Sequence, residues 1–282
     1  MLLSTFFFAL MNVFIKLVPE IPAMEIVFFR CLVSMLICFI GIRRAQVDWL
    51  GNSRLLLFLR GAFGTSALYL FFITLQNVPL ASSVTISYLS PIFTTVIAIF
   101  LLKEKVYAVQ WLFFVVSLIG VFVMKGFDAR IPPVYFATGI ASGFFSALAY
   151  NMVRSLKGKE HPLVVVLHFQ LVGVVVGFLA TLFNFRLPNF YELVLLVGIG
   201  LATHFGQVYL TKALQAEKIA KVSILNYLGI VYALVFGWLI FGETYTLQTA
   251  VGILLVTAGV AGSVVYSRRK AELEEEIAKT NA

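Results

Sequence analysis

The residues of this chain that could do chemistry are polar and charged side chains inside long apolar runs. Arg30 is the one formal charge well inside such a run. A buried arginine offers a bidentate grip on a carboxylate or phosphate. A structural role, satisfying carbonyls at a helix end, is the alternative. Arg60 lies nearer to the end of its run, where a long side chain can reach the interface, so we expect a structural role there.

Neutral polar residues occupy the corresponding part of the second half. Gln170 takes the place of Arg30 when the sequence is compared with itself at an offset of 140 residues. His204 and Gln207 are three residues apart and share a helical face. This stripe suggests a water-lined surface on which His204 could titrate near neutral pH and carry a proton. A histidine bonded to a neighbouring helix is the favoured alternative.

Aromatic and amide side chains complete the candidate set. Tyr88 and Tyr227 correspond at an offset of 139 residues, with Ser87 and Asn226 beside them. They offer neutral donors and acceptors and an aromatic wall. Further candidates of the same kind are Asn12, Tyr69, Gln76, Tyr150 and Asn151. Packing in the interior or at an interface is the alternative for each of them.

Patterns typical of enzymes and metal centres are missing from the sequence. No HExxH occurs, and Gly198-x-Gly200 lies inside an apolar run without the flanking strand of a nucleotide loop. Cys31 and Cys38 are seven residues apart, about 10.5 Å along a helix, which is too far for a disulfide. We therefore expect free thiols, no cofactor, no metal and no enzymatic activity.

The composition places these residues in a membrane. The chain is 61% hydrophobic and only 12% charged, whereas soluble domains average about 25% charged residues. The net charge of +8 would suit a nucleic-acid partner, but the basic residues lie between apolar runs, as they do in membrane proteins. We therefore expect a lipid bilayer around the chain and no nucleic acid.

Ten apolar runs approach or reach the roughly 20 residues that a membrane-spanning helix needs. They cover roughly 2–18, 23–42, 56–77, 80–102, 106–124, 133–153, 162–183, 191–213, 219–241 and 247–267. The fourth run contains Pro91, which removes a backbone donor and tends to kink a helix. The freed carbonyl must be satisfied by protein or by water in a cavity, so we expect this helix to face a polar interior.

The basic residues also predict the orientation in the membrane. With the N-terminus inside, fifteen of the 21 Lys and Arg residues fall on inner loops and the tail, and four fall on outer loops. The positive-inside rule then places both termini in the cytoplasm. We expect a multi-pass protein, of the inner (cell) membrane if the source is bacterial.

An internal repeat organises the runs. At an offset of 139 residues and without gaps, Gly61 matches Gly200 and Gln76 matches Gln215; at 138, Ser4 matches Ser142. Each half holds five runs, and since five is odd the second half must be inverted. The prediction is an all-α integral membrane protein of ten transmembrane helices in two inverted five-helix repeats. The predicted units are 1–124, a linker at 125–132, 133–267 and a charged cytoplasmic tail at 268–282.

Two further patterns concern helix ends and helix contacts. Glu104 and Glu243 follow apolar runs, where a carboxylate can cap the N-terminus of the next helix. Gly139-x-x-x-Gly143 and Gly173-x-x-x-Gly177 permit close approach of helices. We expect these glycines to serve contacts within the chain rather than dimerisation, and the oligomeric state stays open.

Several motifs in combination resemble the drug/metabolite transporter superfamily, EamA type. The second run opens on Pro22 and reaches Arg30, the fourth has Tyr88-Leu-Ser-Pro91, and the ninth ends on Gly242-Glu243. The resemblance covers nearly the whole chain and implies a helical transporter with a central cavity and alternating access. The ninth run departs from the fourth because Gly229-Ile230 replaces Ser90-Pro91, so the kink is expected in one half only.

The sequence therefore predicts a secondary transporter of a small organic metabolite that is amino-acid-like or otherwise anionic or zwitterionic, since Arg30 is expected to be the sole buried charge. An S-adenosylmethionine or nucleotide-like substrate, stacked on the tyrosines, is one alternative. A membrane scaffold or lipid scramblase is an alternative of another class. The absence of a nucleotide-binding motif leaves gradients as the driving force, and the resemblance does not fix the cargo, the direction or the coupling ion.

Overall fold

The computed structural model describes residues 1–101, 108–125, 131–183, 185–216 and 228–280, and these ranges form helices joined by short connections without a strand. The helices, in chain order, are α1 (Leu2–Lys16), α2 (Ala23–Ala45), α3 (Arg54–Asn77), α4 (Leu80–Ser87), α5 (Ser90–Leu101), α6 (Ala108–Lys125), α7 (Pro133–Ser155), α8 (Pro162–Thr181), α9 (Phe190–Ala216), α10 (Leu228–Phe241) and α11 (Leu247–Thr280). Because α4 and α5 share one apolar run, the helices account for the ten predicted runs.

The helices have the lengths and apolar character of a multi-pass integral membrane protein. Within the described ranges, six are long and apolar enough to cross a bilayer, counting α4 and α5 as one, and four more have apolar segments of 10–17 residues. The charged tail predicted from residue 268 is helical and continues α11 without a break as far as Thr280.

The fourth run is broken where Pro91 predicts a kink. α4 ends at Ser87 and α5 begins at Ser90, so Pro91 lies in the first turn of a helix, where its missing N–H needs no partner. The backbone N–H of Leu89 donates to the carbonyl of Ile86 at 3.1 Å, which tightens the end of α4. The matching stretch of the ninth run lies mostly in 217–227, outside the described residues.

Helices from the two halves pack in pairs. α1 packs on α9 and α3 packs on α7, while α2 packs on α8 and α6 packs on α11. Gly173 and Gly177 form the α8 side of the α2 contact: a Cβ on Gly177 would lie 2.9 Å from the Cα of Phe28. The expected role of this small-residue pattern in a contact within the chain is confirmed.

Hydrogen bonds that tie the halves together recur at the offset of the repeat. The hydroxyl of Ser4 donates to the carbonyl of Gly206 at 2.8 Å, and the hydroxyl of Ser142 donates to the carbonyl of Ala67 at 2.8 Å. In each case a serine on the first helix of one half bonds to the third helix of the other half.

Two glutamines form a second recurring pair. The Gln76 side-chain amide donates to the carbonyl of Ile21 at 2.9 Å, and that of Gln215 donates to the carbonyl of Glu160 at 3.3 Å. The Glu160 carboxylate in turn accepts the backbone N–H of Asn52 at 2.6 Å, just before α3. Gln76 lies at the other end of α3, so the two ties lie at opposite ends of that helix.

Glu243 caps a helix, but not the one that was expected. Both of its carboxylate oxygens accept the backbone N–H of Leu80, at 2.9 and 3.0 Å, so Glu243 caps α4 rather than α11, the next helix. It also pairs with Lys16 and accepts the hydroxyl of Tyr245. The expectation was wrong because it considered only neighbours in the chain. Glu104 lies outside the described residues.

Candidate functional site

A cavity of about 170 Å³ lies among α1, α3, α4, α5, α7, α8 and α9. Helices from both halves of the chain therefore form its wall. Five of the predicted site residues line this cavity: Asn12, Ser87, Tyr88, Tyr150 and Gln207. The geometry brings these five together, and their role in substrate binding stays a prediction.

The break between α4 and α5 supplies one side of the cavity. Ser87 and Tyr88 end α4, Ser90 begins α5, and all three line the cavity. Non-helical backbone at membrane depth is tolerated where it lines a polar space or is buried in protein. The proline in this run thereby places hydroxyl groups and backbone polar groups at the cavity surface.

Arg60 is the charged residue of the cavity wall, and sequence analysis missed it. Arg60 is only 4% exposed, and its Nη2 donates to Gln207 Oε1 at 3.4 Å. The expectation that Arg60 reaches the membrane interface is wrong. The helix α3 begins at Arg54, six residues before Arg60, so Arg60 lies deeper in the bundle than its distance from the end of the apolar run suggests. Arg54 already occupies that helix end, and this was the signal in the sequence that could have identified Arg60 as deep.

Arg30 lies beside the cavity rather than in its wall. It is fully buried, and its Nε donates to Thr203 Oγ1 at 2.9 Å. Neither terminal nitrogen has a hydrogen-bond partner among the described residues. The expectation that Arg30 is the sole buried charge is wrong, since Arg60 and Glu25 are buried as well.

One aromatic ring connects the two arginines. Phe169 lines the cavity, and its ring centre lies 4.2 Å from the Cζ of Arg60 and 5.3 Å from the Cζ of Arg30. Phe72 lies 5.9 Å from the Cζ of Arg30. Aromatic faces attract guanidinium groups, so these rings partly stabilise the buried charges.

Glu25 does not neutralise either arginine. One of its oxygens accepts the backbone N–H of Arg186 at 3.1 Å, in the connection between α8 and α9. Its other oxygen has no partner among the residues described. Glu25 therefore ties α2 to this connection, and no carboxylate in the described ranges pairs with either buried arginine.

Several predicted site residues have structural contacts outside the cavity wall. Gln170 donates to Ser34 Oγ at 2.9 Å, which joins α8 to α2. Asn151 donates to the carbonyls of Thr94 and Ala147. Gln76, at the end of α3, holds the connection between α1 and α2 through its bond to the carbonyl of Ile21.

Tyr69 and His204 also lie outside the cavity wall. Tyr69 is partly buried and packs against the main apolar core. His204 is mostly buried and meets the ring of Phe205 edge to face, with 5.6 Å between ring centres. Tyr227 and Asn226 fall outside the described residues, so their predicted roles stay predictions.

The cavity also contains residues that no sequence argument selected. Ser142 and Ser146, one turn apart on α7, and the rings of Phe8 and Phe71 line it. Ser142 matches Ser4 in the repeat and lies between Gly139 and Gly143 of α7. These two features were the signals in the sequence that could have identified it as a cavity residue. The aromatic residues carried none, because 28 phenylalanines are spread over the whole chain.

The described cavity wall is polar and carries one positive charge. It offers one guanidinium, several hydroxyls and two amides, but no carboxylate in the part that the structure describes. No group of three or more His, Cys, Asp or Glu side chains is placed for a metal ion in the described ranges.

Comparison with known proteins assigns the chain to a family. The model of the EamA-like transporter family matches residues 1–125 and 134–265. The chain belongs to the EamA-like transporter family. Its relatives are small-molecule transporters, and as a member of that family it is a transporter rather than an enzyme.

Two curated relatives show how this EamA-like chain compares with named transporters. It is 32% identical over 263 residues to the pseudopaline exporter CntI of Pseudomonas aeruginosa (strain UCBPP-PA14), covering 92% of this chain and 93% of the relative. It is 29% identical to human solute carrier family 35 member G1, covering 94% of this chain and 77% of the relative.

A solved crystal structure has the same fold. It superposes with a TM-score of 0.69 at 17% sequence identity and covers 95% of this EamA-like chain and 98% of the solved chain. At that identity the likeness concerns the fold alone.

Proposed function

We propose that this EamA-like protein is a secondary transporter that moves a small organic metabolite bearing an anionic group by alternating access. The observation that carries the proposal is Arg60, a buried guanidinium in the wall of a membrane cavity without a carboxylate partner among the described residues. An unpaired charge at such depth costs at least a few kcal/mol. An anionic substrate would offset that cost.

The packing supports an inverted repeat of two five-helix halves. In the repeat, α1, α2 and α3 of the first half correspond to α7, α8 and α9 of the second half. The α1–α9 contact then corresponds to the α7–α3 contact, and the α2–α9 contact corresponds to the α8–α3 contact. All four pairs of helices are in contact. The glutamine ties at opposite ends of α3 are what inversion of one half requires. A cavity between inverted halves is typical of secondary transporters.

A polar cluster between the halves at one end of the bundle supports alternating access. Lys16, Glu243 and the N-terminus of α4 form one cluster, joined by the carbonyl of Val78, which accepts from Lys16 Nζ at 3.1 Å. The cluster connects helices of both halves at the end of the bundle where α1 finishes. On the proposed topology, with both termini in the cytoplasm of a bacterial cell, this is the outer end.

S-adenosylmethionine or a nucleotide-like metabolite is a second candidate. Tyr88 and Tyr150 in the cavity wall could stack on a base. The cationic sulfonium and ammonium of S-adenosylmethionine would face Arg60, so we place this candidate after an anionic metabolite. A scaffold or scramblase would give no reason for a buried arginine in the cavity wall. The name of the pseudopaline exporter makes export the first direction to test.

Flux into proteoliposomes tests the proposed function. The panel comprises labelled dicarboxylates, amino acids, nucleotide sugars and S-adenosylmethionine, with and without a pH gradient. Saturable flux that Arg60→Gln abolishes and Arg44→Gln preserves is the expected result, because Arg44 is exposed at the end of α2. Absence of saturable flux for every solute, with the protein folded and inserted, would contradict it.

A further inference from the structure

We infer that the cavity binds a solute carrying two negative charges, such as a short dicarboxylate or a phosphate ester, rather than a zwitterion. This inference deepens the proposed function and rests on it. The feature behind it is the pair of buried guanidinium groups, Arg30 and Arg60, that flank the ring of Phe169.

The two arginines form one concentration of positive charge. Arg60 lies in the cavity wall with 4% of its surface exposed, and Arg30 is fully buried beside it. Their Cζ atoms are 4.2 and 5.3 Å from the centre of the same ring. Like charges held so close in a poorly polarisable interior repel each other, so the arrangement requires compensation.

Compensation is missing among the described residues. Neither arginine forms an ion pair with a carboxylate there, and within the described residues they donate only two hydrogen bonds, from Arg30 Nε to Thr203 Oγ1 and from Arg60 Nη2 to Gln207 Oε1. The atoms without any partner are Arg30 Nη1, Arg30 Nη2 and Arg60 Nε. These three nitrogens carry five N–H donors that no described residue accepts, whereas the large majority of buried side-chain polar atoms have a hydrogen-bond partner.

The guanidinium groups of Arg30 and Arg60 have different roles in this inference because only Arg60 lines the cavity. Arg60 lines the cavity and can contact the solute directly. Arg30 is fixed by Thr203, which itself donates to Met11 Sδ at 3.1 Å, and Met11 also lines the cavity. Arg60 therefore binds one anionic group, and Arg30 adds a second positive charge at short range.

The remainder of the wall argues against a zwitterion. An α-ammonium group needs an anionic or strongly polar acceptor, and no Asp or Glu lines the described part of the cavity. The acceptors present are neutral, such as Asn12 Oδ1, which has no partner among the residues described. One carbonyl oxygen of this kind suits a hydroxyl of the solute better than a full positive charge beside Arg60.

Binding to the purified, detergent-solubilised protein tests the charge preference. The probes are succinate, glycerol 3-phosphate, butyrate and alanine at equal ionic strength, with the thermal unfolding midpoint recorded against concentration. We expect succinate or glycerol 3-phosphate to bind at least about tenfold more tightly than butyrate or alanine, because only a dianion brings a second charge to the two arginines. Equal affinities for succinate, glycerol 3-phosphate, butyrate and alanine would overturn the inference.

Variants assign the preference to the arginines. Arg60→Gln should abolish binding of the preferred dianion, Arg30→Gln should reduce it to the level of butyrate, and Arg44→Gln should leave it unchanged. Arg60→Lys keeps the charge and should retain the dianion preference, which covers the case that Arg60→Gln does not fold. Unaltered dianion affinity in both Arg60→Gln and Arg30→Gln would refute the assignment of the preference to the two arginines.

Counterflow in proteoliposomes separates this inference from the proposed function. If succinate or glycerol 3-phosphate binds without exchanging across the membrane, the dianion site stands and transport is refuted. If alanine exchanges and neither dianion binds, transport stands and the dianion site is refuted.

Discussion

Arg30 has no contact with solvent, and two of its nitrogens have no partner in the described part of the chain. Each aromatic face over a desolvated guanidinium contributes about 2 kcal/mol, less than the several kcal/mol that desolvation of an ion costs. Thr203 satisfies only one of the remaining donors. From this unfavourable balance we expect Arg30 to serve the proposed function rather than stability.

We expect Arg30→Met to make the protein more stable and less active. Apolar residues in place of buried charges often stabilise by roughly 1–4 kcal/mol, so the thermal unfolding midpoint should rise. Saturable flux should fall because the second positive charge is lost. Scanning fluorimetry and proteoliposome flux measure the two effects, with Arg44→Met as the exposed control. A lower midpoint for Arg30→Met would show that the arginine is structural.

The difference between expectation and structure at Arg60 has a physical reason. The exposure of a basic residue near a helix end depends on which helix covers it, and the sequence shows only its distance from the end of the run. In the structure the ring of Phe169 on α8 covers Arg60. Conversely, Asn12, Tyr88 and Tyr150 could be predicted as cavity residues because their polar groups interrupt apolar runs.

At the scale of helices, the contact between α2 and α8 depends on Gly177. A Cβ there would lie 2.9 Å from the Cα of Phe28 and 3.0 Å from its N, and backbone atoms cannot move aside as a flexible side chain can. Gly143, in the other predicted small-residue pattern, is less crowded, since its nearest neighbour would be the N of Ser90 at 3.5 Å.

We therefore expect Gly177→Ala to lower the thermal unfolding midpoint while Gly143→Ala leaves it nearly unchanged. The forced separation of α2 and α8 resembles overpacking of a core, which costs roughly 1–3 kcal/mol. Thermal unfolding in detergent measures both variants side by side. An equal response of the two would show that the α2–α8 contact can relax.

The helices themselves could be predicted largely from the sequence, because hydropathy marks their extent and Pro91 marks the break between α4 and α5. The long-range cap of α4 by Glu243 could not. A carboxylate that ends one helix can cap any helix start within reach, and which start lies there is decided by packing between the halves.

Loss of the Glu243 charge should open that end of the bundle more often. Glu243→Gln removes the ion pair with Lys16 and weakens the cap on α4. The thiol introduced by Val78→Cys, at a position that is 2% exposed, should then react faster with a membrane-impermeant maleimide. The native Cys31 and Cys38 are buried, so the background should be low.

Glu160→Gln is the matched control for the Glu243→Gln experiment. Glu160 caps α3 at the opposite end of the bundle, so its loss should not accelerate labelling of the Val78→Cys thiol. Equal labelling rates in both glutamine variants would contradict a role for the Glu243 cluster in closing this end.

At the scale of the whole molecule, the distribution of basic residues predicts one orientation. Fifteen of 21 Lys and Arg residues lie on the same side in the proposed topology. A green fluorescent protein fused after Ala282 should therefore fluoresce, and alkaline phosphatase fused there should be inactive. Active phosphatase at that position would reverse the proposed topology and place the Glu243 cluster on the cytoplasmic side.

The mirrored bonds of Ser4 and Ser142 have a consequence for how such a chain diverges. On the proposed inverted arrangement the contact between the halves is isologous, as in a twofold dimer: each half presents the same donor and the same acceptor. Two separate copies of one half would have to insert in opposite directions and carry identical sites. Joining them in one chain fixes the opposite directions and lets the two halves differ, so that Gln170 can occupy the position corresponding to Arg30 and the binding site can become asymmetric.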